Sequence, residues 1–376
     1  MINLLILIFL ILLFYYGYFL VSILIGLLKL KPVRKKEPVS EFVSIIIPFR
    51  NEEDNILSNL QSIESQNYPK EKFEVIYVDD SSTDNSLKIL KSSIKNENIK
   101  VFSLPEIPGE FSRKKRAVNF GIENSKGEII VTTDADCFHS SEWLVNLLSA
   151  LDKKTGFISG PVEFIDHKNI FTELQKIEFA GLILTGAGLI AMKRPVICNA
   201  ANIAYRKSIF KSSNGFQDKL HVSSGDDDFL MQKIHKDGKF AIKFCLNKDA
   251  IVKTKSADSI LQFYQQRKRW ASKSIYYNKK LIIELILIFF FYLGLVIQLL
   301  LGFFVSKIFF FLLFDSLFIK FLLEFLILKI GNKILFQGLK LRYFLLAELV
   351  QIPYILISGI AGLFGNFIWK ERKVKR

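Results

Sequence analysis

Phe-Glu-Val-Ile-Tyr-Val-Asp-Asp-Ser-Ser-Thr-Asp, residues 73–84, is the stretch on which the fold turns. An apolar, β-branched run ends in two adjacent carboxylates, Asp79 and Asp80. Ser, Thr and Asp follow, residue types that start helices by accepting from their free N–H groups. A strand feeding a helix through an acidic turn is half of a βαβ unit. Two further runs have the same form: 43–47, ending at Pro48, and 129–133, ending at Asp134. Helical patterns at 54–66, 86–94 and 115–123 lie between them. Strand and helix in alternation predict an α/β fold with a mostly parallel, Rossmann-like sheet. Ligands of such sheets bind beyond the carboxyl ends of the strands. The polar residues after the three runs are therefore expected to share one cleft.

Outward from this region the composition changes. The 376 residues are 50% hydrophobic, and 51 basic against 36 acidic side chains give a net charge of +15. That apolar content excludes a disordered chain, and three cysteines exclude a disulfide framework. Residues 1–28 carry no charge and exceed the roughly 20 residues needed to span a bilayer. The segment reads as an uncleaved anchor, since a signal peptide calls for a basic start and a small-residue cleavage site. Lys29, Lys31, Arg34, Lys35 and Lys36 follow it, which places this flank on the cytoplasmic side. The expected organisation is an anchor at 1–28, a basic linker at 29–40, an α/β domain at 41–277 and a C-terminal membrane region at 278–376. In that last region 281–305 is the clearest span. The segment 308–328 is weaker because it carries Asp315, Lys320 and Glu324, and 343–368 carries Glu348 and Pro353. Two spans plus an interfacial helix keep the basic tail 370–376 inside, and three spans put it outside. Ten of the 51 basic residues lie in the two flanks 29–36 and 370–376. This points to anionic phospholipids and away from nucleic acid.

Four clusters carry chemistry. Asp79 and Asp80 end the second run. Asp134 and Asp136, two apart, offer hard oxygens to Mg²⁺ or Mn²⁺, although an Asp-x-Asp is common in surface loops. Gly225-Asp226-Asp227-Asp228 opens a helical pattern, where carboxylates meet the helix dipole or supply a general base. Gln266-Arg267-Lys268-Arg269-Trp270 precedes the membrane segments and also reads as a basic interfacial helix. The stretch 171–192, with Gly181, Gly186 and Gly188, fits a helix dipping into the interface or a buried core helix equally.

Together, with residues 43–53, 114–121 and 198–206, these clusters resemble the family 2 glycosyltransferases of GT-A fold over about residues 42–272. The Gln-x-x-Arg-Trp signature resembles the membrane-bound branch, which includes ceramide glucosyltransferase-like enzymes and polysaccharide synthases. The resemblance implies that Pro48, Arg50 and Glu52 line the base and ribose of a nucleotide-sugar, and that Asp80 accepts the uracil N–H with Asp79 in support. Many relatives have another residue, often aromatic, at the Arg50 position. Lys114 would approach the phosphates. Asp134 and Asp136 would hold Mg²⁺ or Mn²⁺, with Asp134 also near the ribose or sugar. Asp227 would be the catalytic base and Asp226 the first acid of the pair, while the extra carboxylate of Asp228 leaves a one-residue shift open. Gln266, Arg269 and Trp270 would cover the donor. The expected reaction is inverting transfer of a sugar, from a UDP-sugar, to a lipid acceptor at the cytoplasmic face of a bacterial inner membrane. A processive polysaccharide synthase and an inactive scaffold are the alternatives.

Overall fold

The computed structural model describes residues 1–33, 38–107, 112–165, 169–220, 222, 225–363, 367–369 and 372–374. Arg34, Lys35 and Lys36 of the basic linker, and Lys370, Lys375 and Arg376 of the tail, lie outside the described residues. In chain order the elements are α1 (Ile2–Lys29), β1 (Val43–Phe49), α2 (Ile56–Glu64), β2 (Phe73–Asp79), α3 (Ser86–Ser93), β3 (Ile99–Ser103), α4 (Arg113–Glu123), β4 (Ile129–Thr132) and β5 (Cys137–His139). They continue with α5 (Trp143–Leu148), β6 (Thr155–Ser159), β7 (Val162–Phe164), α6 (Ile170–Ala191), β8 (Ile203–Arg206), α7 (Lys207–Ser212), α8 (Asp226–Asp237), β9 (Ala241–Phe244) and β10 (Val252–Thr254). The last helices are α9 (Ile260–Ser272), α10 (Lys279–Phe304), α11 (Ile308–Gly331) and α12 (Phe344–Leu363).

These elements form two compact units. The first joins Met1–Lys29, Asp166–Met192 and Ala257–Phe367. The second joins Leu30–Ile165, Lys193–Ser256 and Ile368–Arg376. Compactness thus divides the chain differently from its order in sequence, because α6 and α9, inside the expected 41–277 domain, group with the apolar helices.

The second unit is built on a seven-stranded sheet in the order β3-β2-β1-β4-β8-β6-β9. β3, β2, β1 and β4 are parallel neighbours. Every residue of β1, β2 and β4 is buried. Burial on both faces explains why these strands read as mainly apolar runs without alternation, and the two polar exceptions inside them, Ser44 of β1 and Glu74 of β2, bond each other at 2.8 Å. β8 pairs antiparallel with both β4 and β6, and β6 pairs parallel with β9. The sheet is therefore mostly parallel with one reversed strand. The chain runs β1 to β2 to β3 on one side, then crosses to β4 on the other side of β1. The crevice at that crossing lies at the carboxyl ends of β1, β2 and β4, where parallel sheets of this kind bind ligands.

The first unit is helical. α1, α6, α10 and the segment Leu341–Leu363 are, among the described residues, the helices long and apolar enough to cross a membrane. α1 and α6 meet at two glycines. A Cβ on Gly26 would overlap the Gly188 carbonyl, and one on Gly188 would lie 2.6 Å from the Ile23 carbonyl oxygen. Only hydrogen fits there, as at small-residue crossings between membrane helices. α11 carries one of its charges, Lys320, inward. Lys320 is fully buried and donates to Glu324 at 3.1 Å, to Gln351 at 2.8 Å and to Glu348. Tyr16 donates to Glu324 at 2.5 Å, and Tyr292 to Gln351 at 3.0 Å. Of the charges that weaken α11 as an apolar segment, Lys320 and Glu324 are thus paired inside the bundle with α12 and α1, while Asp315 is exposed.

Candidate active site

Three loops of the sheet unit leave the strand ends together. After β1, Asn51 takes a left-handed backbone, φ 49°, as does Ser81 after β2, φ 57°. Asn tolerates that region better than most residues. The two loops are laced by reciprocal bonds. The Thr83 N–H donates to Asn51 Oδ1 at 2.9 Å, and the Asn51 N–H donates to Ser82 Oγ at 3.1 Å. The Glu52 N–H donates to Ser86 Oγ at 2.7 Å, and the Asn85 N–H to Glu53 Oε2 at 3.0 Å. Arg50 is buried and donates to the carbonyls of Asp80, at 2.9 Å, and Ser81. It therefore holds the β2 turn in shape. Asp79, at the end of β2, accepts from the Ser82 N–H at 2.9 Å and from Ser103 Oγ at 2.8 Å. Asp80 is buried beside it, as are Pro48 within β1 and Glu52 after it.

The turn after β4 is held from beneath by a residue that sequence reading passed over. Asn59 of α2 is fully buried and donates to the carbonyls of Asp134, at 3.2 Å, and Cys137, at 2.7 Å. The Tyr77 hydroxyl donates to Asn59 Oδ1 at 2.8 Å. Its signal in the sequence was an amide on the apolar face of an amphipathic helix. His139 lies under the same turn, with its ring nitrogens on Ser62 Oγ at 3.0 Å and Thr133 Oγ1 at 2.8 Å. Burial pushes its pKa down to about 3, so it stays neutral as a structural group.

Lys114 opens α4 and brings two of the acidic clusters together. Its ammonium is 2.6 Å from Asp134 Oδ1 and 3.9 Å from Asp226 Oδ2. Burial would lower its pKa, but Asp134 and then Asp226 outweigh it and the net shift is upward. Lys114 is therefore a fixed cation. Its neighbour Lys115 is instead buried and donates to the Val222 carbonyl at 2.6 Å.

Gly225, left-handed at φ 79°, lets the chain turn into α8, whose first residues are the three aspartates. Asp227 Oδ2 accepts from the Ala200 N–H at 2.9 Å and its Oδ1 from the Asp228 N–H at 2.8 Å. Asp228 is fully buried and accepts from the Cys198 N–H at 2.8 Å. The 198–200 segment is thus clamped by Asp227 and Asp228, while Asp226 turns toward Lys114. Among the described residues, Cys198, Asp227 and Asp228 have ligand atoms within 4.8 Å of one another. Their carboxylates already serve backbone N–H groups. Asp134 differs, since it is open to solvent on one side and already attracts a cationic ammonium. Hard oxygen donors with an exposed face suit Mg²⁺ or Mn²⁺, so Asp134 fits the expected metal, while Asp136 is half-buried and its Oδ1 accepts from Cys137 Sγ at 3.6 Å.

Gln266, Arg269 and Trp270 belong to the helical unit, on α9. The residue between them, Arg267, is the buried one. It forms a salt bridge with Glu178 of α6.

The comparisons agree with this architecture. The profile of Glycosyl transferase family group 2 matches residues 129–350, and that of Glycosyl transferase family 2 matches residues 44–213. The chain belongs to the family 2 glycosyltransferases. It is 30% identical over 196 residues to the glycosyltransferase AglE of Haloferax volcanii, a match covering 49% of this chain and 59% of that one. It is 26% identical over 235 residues to a dolichyl N-acetyl-alpha-D-glucosaminyl phosphate 3-beta-D-2,3-diacetamido-2,3-dideoxy-beta-D-glucuronosyltransferase of Methanococcus voltae. That match covers 60% of this chain and 70% of the relative. Among solved structures, a mannosyltransferase from Pyrobaculum calidifontis in complex with GDP-Man and Mn²⁺ superposes with a TM-score of 0.61 at 19% identity. The superposition covers 96% of this chain and 99% of that one, and it supports the fold.

Proposed function

We propose that this protein transfers a sugar from a nucleotide-sugar, a UDP-sugar, to a lipid acceptor at a membrane surface. The observation that carries the reading is the meeting of Lys114 from the first turn of α4, Asp134 from the turn after β4 and Asp226 from the start of α8, beyond the carboxyl ends of the parallel strands. A fixed cation among carboxylates at that place suits a diphosphate and its metal. In this reading Pro48, Arg50, Glu52, Asp79 and Asp80 hold the base and ribose. Arg50 keeps the Asp80 turn rigid so that the carboxylate meets a base N–H. Asp134 and Asp136 hold Mg²⁺ or Mn²⁺, which when bound neutralises charge on the departing diphosphate. Asp227, its carboxylate oriented by the Ala200 and Asp228 N–H groups, takes the proton from the acceptor hydroxyl. That hydroxyl displaces the nucleoside diphosphate in line, with inversion. Asp226 and Lys114 set the local field. Gln266, Arg269 and Trp270 act on the donor's diphosphate and sugar, an assignment supported by their motif.

A lipid acceptor is supported by the apolar helices and by the dolichyl phosphate in the name of the Methanococcus voltae relative. Lys29, at the end of α1, and Lys31, just after it, favour a cytoplasmic catalytic face. Membranes holding the full chain, given radiolabelled UDP-glucose, UDP-N-acetylglucosamine and GDP-mannose in parallel, should yield an organic-soluble labelled lipid. A labelled high-mass polymer would instead establish a polysaccharide synthase. Asp227→Asn should abolish transfer while UDP binding persists, and near-normal transfer would remove Asp227 as the base. EDTA should stop turnover and Mn²⁺ or Mg²⁺ restore it. Full turnover in chelator would overturn the roles of Asp134 and Asp136.

A further inference from the structure

On α9, Phe263, Arg267 and Trp270 stand at i, i+4 and i+7 and so share one helix face. The Arg267 guanidinium carbon is 4.3 Å from the Phe263 ring centroid and 4.3 Å from that of Trp270. It is sandwiched between the two rings, an arrangement that suits a planar, weakly hydrated cation. Each of the three nitrogens of the same group donates. Nε donates to Glu178 Oε1 at 3.1 Å, Nη2 donates to Glu178 Oε2, and Nη1 donates to Gln266 Oε1. Glu178 belongs to α6, and it also accepts from the Tyr354 hydroxyl of α12 at 2.7 Å. Arg267 is 4% exposed and Glu178 8%. The Tyr354 ring meets Phe263 edge-on at 5.5 Å, and Phe179 of α6 lies 6.2 Å from Trp270.

A salt bridge that merely fastened α9 would not need its cation on Trp270 and Gln266. Here one guanidinium touches two of the three side chains of the Gln-x-x-Arg-Trp motif, and its counter-ion is held by two apolar helices. We infer that Arg267 is a positioning residue: it sets the rotamers of Gln266 and Trp270, and through Glu178 and Tyr354 it makes their aim depend on the packing of α6 and α12. This rests on the preceding assignment of Gln266 and Trp270 to substrate.

The test uses the full chain in lipid nanodiscs, with the same three sugar nucleotides as probes. Arg267→Lys keeps the charge and loses the planar fork. Tyr354→Phe removes one hydrogen bond and leaves the ion pair. Misplacing a substrate-contacting group by about 1 Å costs up to about 100-fold in rate. Arg267→Lys should therefore lower kcat about 10-fold or more, and Tyr354→Phe about threefold, with donor KM within about twofold. Arg267→Met should lower kcat further than Arg267→Lys. The near-UV ellipticity of Trp270, taken as wild type minus Trp270→Phe, should weaken in Arg267→Lys while the thermal midpoint of Tyr354→Phe stays near wild type. Wild-type kcat and an unchanged Trp270 band in both Arg267→Lys and Tyr354→Phe, with Trp270→Ala impaired, would overturn the inference alone. Full transfer by Trp270→Ala would instead overturn the motif's role in substrate handling, and the inference with it.

Discussion

Replacing Lys320 by Met should destabilise the helical unit by about 3–5 kcal/mol. The side chain is fully buried, and its ammonium donates to Glu324, Glu348 and Gln351. Interhelical hydrogen bonds in membrane proteins contribute about 0.6 kcal/mol on average and about 1.7 at most. Two of these bonds cross to α12, at Glu348 and Gln351, and amount to about 1–3 kcal/mol, while the bond to Glu324 lies within α11. Breaking a buried ion pair from one side, which strands the remaining charge, costs about 3–5 kcal/mol, so the stranded charge is the larger effect and sets the expected loss. At roughly 2 °C per kcal/mol for a chain of this size, the thermal midpoint should fall by about 6–10 °C. The assay is thermal unfolding of the purified full chain in detergent, followed by intrinsic fluorescence. A triple variant, Lys320→Met with Glu324→Gln and Glu348→Gln, removes the stranded carboxylates and should recover most of the loss. A single variant as stable as wild type would show that the cluster is not a fastening. A triple variant no better than the single one would show that stranded charge is not the cause.

Other outcomes follow from the sheet unit and the helix crossing. His139 has a folded-state pKa near 3 against about 6.5 unfolded, so below pH 6.5 the unfolded chain binds the proton that the folded chain refuses. Stability from this group is complete above pH 6.5 and falls toward pH 3, by up to about 5 kcal/mol. A His139→Gln variant whose melting temperature fell as steeply with acid as wild type would refute this. Asn59→Ala removes the amide that donates to the Asp134 and Cys137 carbonyls and accepts from Tyr77, and should cost about 1–3 kcal/mol. It should also weaken Mn²⁺ binding measured by electron paramagnetic resonance, and unaltered binding would remove Asn59 as a support of that turn. Gly188→Leu, forced against the Ile23 backbone, should prevent α1 from seating on α6. Cysteine pairs introduced beside this crossing should then lose their crosslinking, and unchanged crosslinking would contradict the close approach.

The strand ends were legible because β1, β2 and β4 are covered on both faces, which writes each as a mainly apolar run, interrupted only by Ser44 and Glu74, stopping at a polar turn. The acidic turns followed from that, and so did the place of Asp79, Asp80 and Asp134. What the sequence concealed was decided by partners distant along the chain. α11 reads as a poor span because Lys320 and Glu324 are counted as costs, yet their partner Glu348 lies 28 residues beyond Lys320. Arg267 reads as one more basic residue in an interfacial helix, because its burial depends on Glu178, 89 residues earlier. Asp226, Asp227 and Asp228 are equivalent as letters. Their separation into one carboxylate facing Lys114 and two clamping the 198–200 segment follows from the tight glycine turn ahead of α8.

The Gly26–Gly188 crossing also bears on how the protein is made. The two residues are 162 positions apart, 188 − 26, and no side chain can substitute for the neighbour each one lacks. At about 5–20 residues per second, synthesis of the intervening chain takes roughly 8–32 s. Throughout that interval α1 waits without its partner, while the strands of the sheet unit emerge. α1 is therefore made long before it can be seated. A nascent chain stalled before residue 188 should present the bare glycine face of α1 to any membrane chaperone able to shield a small-residue groove.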